Sequence, residues 1–381
     1  MTTPTNFDRI IPRRGTGCIK WDRFPKLDPF WVADMDFEAP RCVLDAIRSR
    51  VDHGVFGYAQ PHDGLIDSLL GYLKKRHGLD TDANDIVHLG GLVMALSLVA
   101  RAVGNPGDVV MTCTPNYPPF IEVHTDAQMD CISVPHIQKN DRWEFDWEAM
   151  EAAVTPKTKV FLLSNPQNPL GRVFSRAEVE QLAEFCLRHD MVLVSDEIHC
   201  DLVLDESATP HVCGASLPDR FQSHIITLLA PSKTYNIAGL GYAFALIKND
   251  ELRQKFNDAK GHTLPEINCL AYYAAEAAYR DGESWRQELL AYLRRNRDTL
   301  SEFVKSNLPG CIVPNIEATY LAWIDCRALG HENPAAVFEK EAQLYLSDGN
   351  YFGAPGHVRF NYGCPHSRLL EGLDKMAKII A

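Results

Sequence analysis

No stretch of this chain is apolar for long enough to span a bilayer, which argues against a helical integral membrane protein. Excess positive charge is also missing. Thirty-eight Lys and Arg stand against 50 Asp and Glu, and a net charge of −12 leaves no electrostatic footprint for nucleic acid or an anionic membrane. The opening residues, MTTPTNFDRIIPRRG, lack the apolar centre of a secretory signal, and Asp8 with no clear amphipathic face speaks against a transit peptide. Eleven cysteines (18, 42, 113, 131, 186, 200, 213, 269, 311, 326 and 364) are scattered without one C-x-x-C pair. That spacing offers no metal cluster, and an odd count is no disulfide framework. The thiols are expected to be reduced and mostly buried, which places the chain in the cytoplasm. Internal repeats and low-complexity segments are absent as well.

What is present suits an enzyme. With 381 residues, 46% of them hydrophobic and 23% charged, the chain is long enough for two domains or one large α/β unit with additions. Short β-branched runs bounded by Pro, Asn and Gly predict strands over Ile86–Leu89, Val109–Cys113, Lys159–Ser164, Met191–Ser195, Ile225–Leu229 and Tyr242–Ile247. Helical spacing predicts amphipathic helices over Gly64–His77 and Leu92–Val103. Ser175 with Glu178 three residues on is a capping box for a further helix that buries Val179, Leu182, Phe185 and Cys186. Strand–helix alternation of this length predicts an α/β domain with a mixed, mostly parallel sheet. After Gly282 the pattern changes to a long charged helix (Ser284–Leu308), a strand (Thr319–Asp325), a helix (Pro334–Leu346), a strand (His357–Gly363) and a closing helix (Ser367–Ile380). The expected division is a large domain of residues 46–282 and a smaller α+β domain built from 1–45 and 283–381.

In parallel sheets ligands sit beyond the carboxyl ends of the strands, and the chemically suggestive residues Tyr117, Asn168, Asp196 and Lys233 fall there. Lys233 follows Ile225–Leu229 and precedes another apolar run. Held against the sheet, its amine would be desolvated, its pKa lowered, and the neutral form would attack an aldehyde or take a proton. Gly90-Gly91 ahead of Leu92 and Val93 places free N–H groups at a helix start, where an anion could rest. Asp34 and Asp36 in WVADMDF could ligate a metal, but a turn or cap accounts for them better, and no metal is expected.

The motifs NPQNPLG (Asn165–Gly171), SDEIH (Ser195–His199) and PSKT (Pro231–Thr234), with the late Arg359, resemble the fold type I, pyridoxal-phosphate-dependent class I/II aminotransferase superfamily. WVADMDF, GYAQP, NYPPF, SKTYNIAGL, TYLAWID and VRFN are similar to its MalY/PatB-type cystathionine β-lyase branch, and the likeness runs from about residue 20 onward. The resemblance implies pyridoxal 5'-phosphate as cofactor, carried by Lys233. It implies Asp196 on the pyridine nitrogen, Asn168 on the ring oxygen, and the ring held between Tyr117 and Ile198 with His199 beside it. The phosphate would rest on Gly91, Leu92, Val93 and Ser232, and Tyr58 would reach in from the partner of a homodimer whose site lies at the subunit interface. Arg359, with Asn168 and Tyr58, would bind the amino-acid substrate. Lys233, Asp196 and Tyr117 would be the catalytic group. Two positions depart from the superfamily pattern: Ala230 stands where a serine is usual and Gly241 where an arginine is usual. The implied reaction is α,β-elimination of cystathionine or a related cysteine S-conjugate to pyruvate, ammonia and a thiol. Class I/II amino transfer is the alternative, and a secondary regulatory protein-binding role is a further one.

Overall fold

The computed structural model describes residues 5–139, 142–262 and 264–380. Seven strands form the main sheet: β1 (Ile86–Leu89), β2 (Val109–Thr114), β3 (Asp130–Pro135), β4 (Thr158–Ser164), β5 (Val192–Asp196), β6 (Ile225–Leu229) and β7 (Ala243–Leu246). Their spatial order is β1-β7-β6-β5-β4-β2-β3. β7 runs antiparallel to both neighbours, and every other pairing is parallel. The fold is therefore the mixed, mostly parallel α/β arrangement expected. Every residue of β5 and of β6 is buried, as continuous apolar strands require when helices cover both faces.

The covering helices include α1 (Arg41–His53), α2 (Asp63–His77), α3 (Leu92–Val103) and α4 (Arg176–Arg188). Next come α5 (Asp250–Lys260) and α6 (Cys269–Asp281), while α7 (Glu283–Asn307) packs into the core of the smaller sheet. The capping box is formed: Ser175 Oγ accepts from the Glu178 N–H while the Glu178 carboxylate accepts from the Ser175 N–H. The four residues assigned to the buried face of α4 are buried. Sequence reading missed α1, α5 and α6. In α1 the apolar positions are few and interleaved with arginines, so the pattern is weak until Pro40 is seen to start it.

A three-stranded antiparallel sheet, β8 (Leu321–Asp325), β9 (Ser347–Asp348) and β10 (His357–Asn361), lies in the order β8-β10-β9. The strand expected from Thr319 starts at Leu321, because Thr319 takes a positive φ of 75°. The helix expected over Pro334–Leu346 ends at Ala342, where Gln343 turns left-handed. Leu344–Tyr345 then pairs with Asp28–Pro29 and draws the N-terminal segment alongside. The closing helix α8 (His366–Ile380) buries Leu369, Leu373 and Met376. Among the described residues all eleven cysteines are free, eight of them buried, and no helix is long and apolar enough to cross a membrane.

Candidate active site

Four neighbouring strands of the main sheet end at one cavity. β2 leads to Tyr117, β4 to Asn168, β5 ends on Asp196, and the loop after β6 carries Lys233. The cavity, of about 760 Å³, is also lined by Leu92, Val93, Ile198, His199, Ser232 and Arg359. Gly91 is the N-cap of α3 immediately before the two lining residues. Of the expected site residues only Tyr58 lies apart, fully exposed at 100%.

Asp196 is 6% exposed, and among the described residues its carboxylate accepts one hydrogen bond, from the Ile198 N–H at 3.0 Å. Burial raises its pKa to about 7, against the pull of that N–H and of Lys233. Lys233 Nζ donates to the Ala33 carbonyl at 2.8 Å, and burial, helped by the charge of Arg359, brings its pKa down to about 8. Arg359 is 5% exposed. It donates to Asn168 Oδ1 (3.0 Å), the Trp31 carbonyl (2.6 Å) and Ser347 Oγ (3.2 Å), all neutral acceptors. Its Nε has no partner among the described residues, and burial lowers its pKa to about 10. Because the Asn168 oxygen accepts from Arg359, the amide nitrogen is the end left to donate into the cavity. His199, 2% exposed, leaves Nδ1 without a partner among the described residues, and burial together with the charges of Lys233 and Arg359 lowers its pKa to about 3. Tyr117 and Ile198 are partly buried against the core under the sheet, and burial raises the pKa of the Tyr117 phenol.

Several groups that hold this site have no signature in the sequence. The Ala33 carbonyl accepts from both Lys233 and the Tyr320 hydroxyl, 2.9 Å, and the Trp31 carbonyl takes Arg359. Asn236, at φ 55°, clamps the same segment: its oxygen accepts from the Met35 N–H and its nitrogen donates to the Met35 and Phe37 carbonyls. Asparagine tolerates that left-handed turn, which is the signal SKTYN offered. Asp34 and Asp36 serve as ion-pair partners, where a turn or cap was expected. Lys20 and Arg13 ion-pair with both, Trp21 Nε1 donates to Asp36, and no metal-ligand cluster occurs among the described residues. Gly241 has φ +68°, and a Cβ there would lie 3.1 Å from the Gly90 carbonyl, so an arginine would be strained at this position. Ala230 is buried in the core beneath the sheet.

An open α/β sheet whose strand ends gather a desolvated lysine, a buried acid and a buried arginine defines the class of protein: an enzyme with the aminotransferase fold. The aminotransferase class I and II family model matches residues 30–376, and the chain belongs to that family. It is 36% identical to cystathionine beta-lyase PatB of Bacillus subtilis (strain 168), over 97% of this chain and 98% of that protein. The crystal structure of OvoB superposes with a TM-score of 0.95 at 39% identity, covering 99% of each chain. Cystalysin from Treponema denticola, whose crystal structure contains a pyridoxal 5'-phosphate cofactor, has a TM-score of 0.94 at 30% identity, with 99% of each chain covered.

Proposed function

We propose that the protein is a pyridoxal 5'-phosphate-dependent carbon–sulfur β-lyase. It converts cystathionine or a related cysteine S-conjugate, with water, to pyruvate, ammonia and a thiol. The observation that carries this reading is that one cavity holds a buried guanidinium and a buried carboxylate, neither ion-paired among the described residues, beside a lysine that donates to a carbonyl. Buried charges left in this state call for a ligand with matching charges. The cofactor would supply a cationic ring nitrogen for Asp196, an aldehyde for Lys233 and, when bound, a ring that takes up the electron pair released at the substrate Cα. Arg359 suits a substrate α-carboxylate.

The residues then divide the work. Lys233, with its pKa near 8, would hold the aldehyde and, when its amine is free and neutral, would take the Cα proton as a base. Asp196 would keep a proton on the ring nitrogen. Asn168 would donate to the ring oxygen with His199 beside it, while Tyr117 and Ile198 would pack against the ring. Leu92 and Val93 N–H groups and Ser232 would receive the phosphate at the start of α3, which suits the absence of an arginine at 241. We read the site as lying between a large domain of residues 46–282 and a small one of 1–45 and 283–381, with α1 (Arg41–His53) running across the first boundary. Tyr58 belongs to a loop that exposes Val55 and Phe56 as well, which supports a homodimer in which this loop completes the partner's phosphate site. Eleven free thiols support a cytoplasmic location.

The name of the Bacillus relative supports elimination, and the family description keeps amino transfer as the competing reading. Purified holoenzyme given cystathionine, cystine, S-methylcysteine and alanine separates them. Pyruvate and thiol released without a keto-acid acceptor are expected, and amino transfer to a keto acid without thiol release would overturn the proposal.

A further inference from the structure

Arg359, Lys233 and Asp196 account for the cofactor and for the amino-acid end of a substrate, yet the cavity extends past them to a mouth lined by Arg23, Trp31, Glu339, Tyr345 and Asp348. Arg23 is exposed and has no ion-pair partner among the described residues. It is held in place: its guanidinium lies 5.6 Å from the centre of the Phe24 ring and 5.8 Å from that of Trp31. Those rings pack with Tyr345 into one aromatic wall, with Phe24 and Tyr345 centroids 4.2 Å apart and Trp31 edge-on to Tyr345 at 5.2 Å. Trp31 is also the residue whose carbonyl receives Arg359. One short segment thus fixes two guanidinium groups, Arg359 in the floor and Arg23 at the mouth.

We infer that Arg23 is a specificity-determining residue: it binds a carboxylate at the far end of the thiol half, so the preferred S-conjugates carry an amino-acid group on both sides of the sulfur. This rests on the lyase reading and narrows its substrate class. Stacking leaves the guanidinium edge free to donate two parallel hydrogen bonds to a carboxylate. The two acids at the mouth are compatible with such a group. Asp348 already accepts from Asn333 Nδ2 and from the backbone and side-chain nitrogens of Asn350. Glu339, exposed and without an ion pair among the described residues, is left to face the distal ammonium. A neutral S-alkyl group would leave Arg23 unused.

The test is an absorbance titration of the cofactor-loaded enzyme with two amino acids that have no β leaving group, so that binding is read without turnover. L-α-aminosuberate places a carboxylate where cystathionine has its distal one, and L-α-aminooctanoate ends in a methyl group. The wild type is expected to favour the first, and R23Q to reduce that preference about tenfold, the range of a charge-assisted pair at a partly screened site. R23K should retain most of it. Equal affinities in the wild type, or a preference untouched by R23Q, would overturn the assignment. Pyruvate release from cystathionine is followed in parallel, so failure of the lyase reading shows there and failure of the Arg23 assignment shows in the titration.

Discussion

β5 ends on Asp196 and Glu197 follows it, and these two consecutive carboxylates stand in different surroundings. Glu197, fully buried, accepts from the Gly214 N–H at 2.6 Å and from Ser195 Oγ at 2.9 Å, and it ion-pairs with His211 Nε2 at 2.8 Å. Burial opposes its ionisation, but His211 and the other donors win and hold its pKa below the usual glutamate value. Asp196 has one N–H, and burial prevails. The same contrast separates two lysines near the N-terminal segment: buried Lys20 is enclosed by Asp34 and Asp36, whereas half-buried Lys233 has a carbonyl. A paired buried charge belongs to the architecture. An unpaired one is held ready for a ligand.

Substitution breaks this comparison most sharply on the paired side. E197Q leaves His211 facing an amide and disturbs the turn at Gly214, and loss of a buried partner costs about 3–5 kcal/mol. The change should appear in urea unfolding of cofactor-free protein; a loss below about 1 kcal/mol would make Glu197 no more structural than its neighbour. D196N goes the other way. Between the unfolded value of 3.8 and the folded value of about 7 the native acid keeps a proton that the unfolded chain releases, so stability falls as pH rises through that window. Asparagine removes the penalty. Cofactor-free D196N is therefore expected to be more stable than the parent at pH 8, by up to about 4 kcal/mol, with the gain fading as pH drops toward 4. An equal gain at both ends of the range would rule out an unpaired carboxylate as its source. Cofactor retention should weaken in the same variant.

The paired and unpaired regions were unequally legible in the sequence. Apolar runs with Pro, Asn and Gly at their ends located six strands of the main sheet, and the polar residues just past four of them meet in one cavity. Arg359 was legible because VRFN is a strand with one cation. The supports were not: Ala33 and Trp31 act through backbone carbonyls, which every residue has, and Asp34 and Asp36 take partners 14 to 23 residues away in chain order. Arg23 escaped for a similar reason. Its aromatic wall joins Phe24 and Trp31 to Tyr345, a residue brought there only by the pairing of Asp28–Pro29 with Leu344–Tyr345.

The smallest effect sharpens the comparison within the cavity. In cofactor-free protein the Lys233 amine titrates near pH 8, against 10.5 for a solvated lysine, because burial disfavours its charged form and Arg359 repels it. Small aldehydes with a hydride donor alkylate only neutral amines, so labelling of Lys233 should become half-maximal near pH 8 while surface lysines respond well above it. Peptide mapping by mass spectrometry resolves the two populations. Removing the neighbouring positive charge in R359Q should move the Lys233 profile upward but leave it below the surface value, since burial is the larger cause. Labelling of Lys233 that tracked the surface lysines would mean that its ammonium has a partner after all, and the distinction between paired and unpaired charges would then fail at the residue where it matters most.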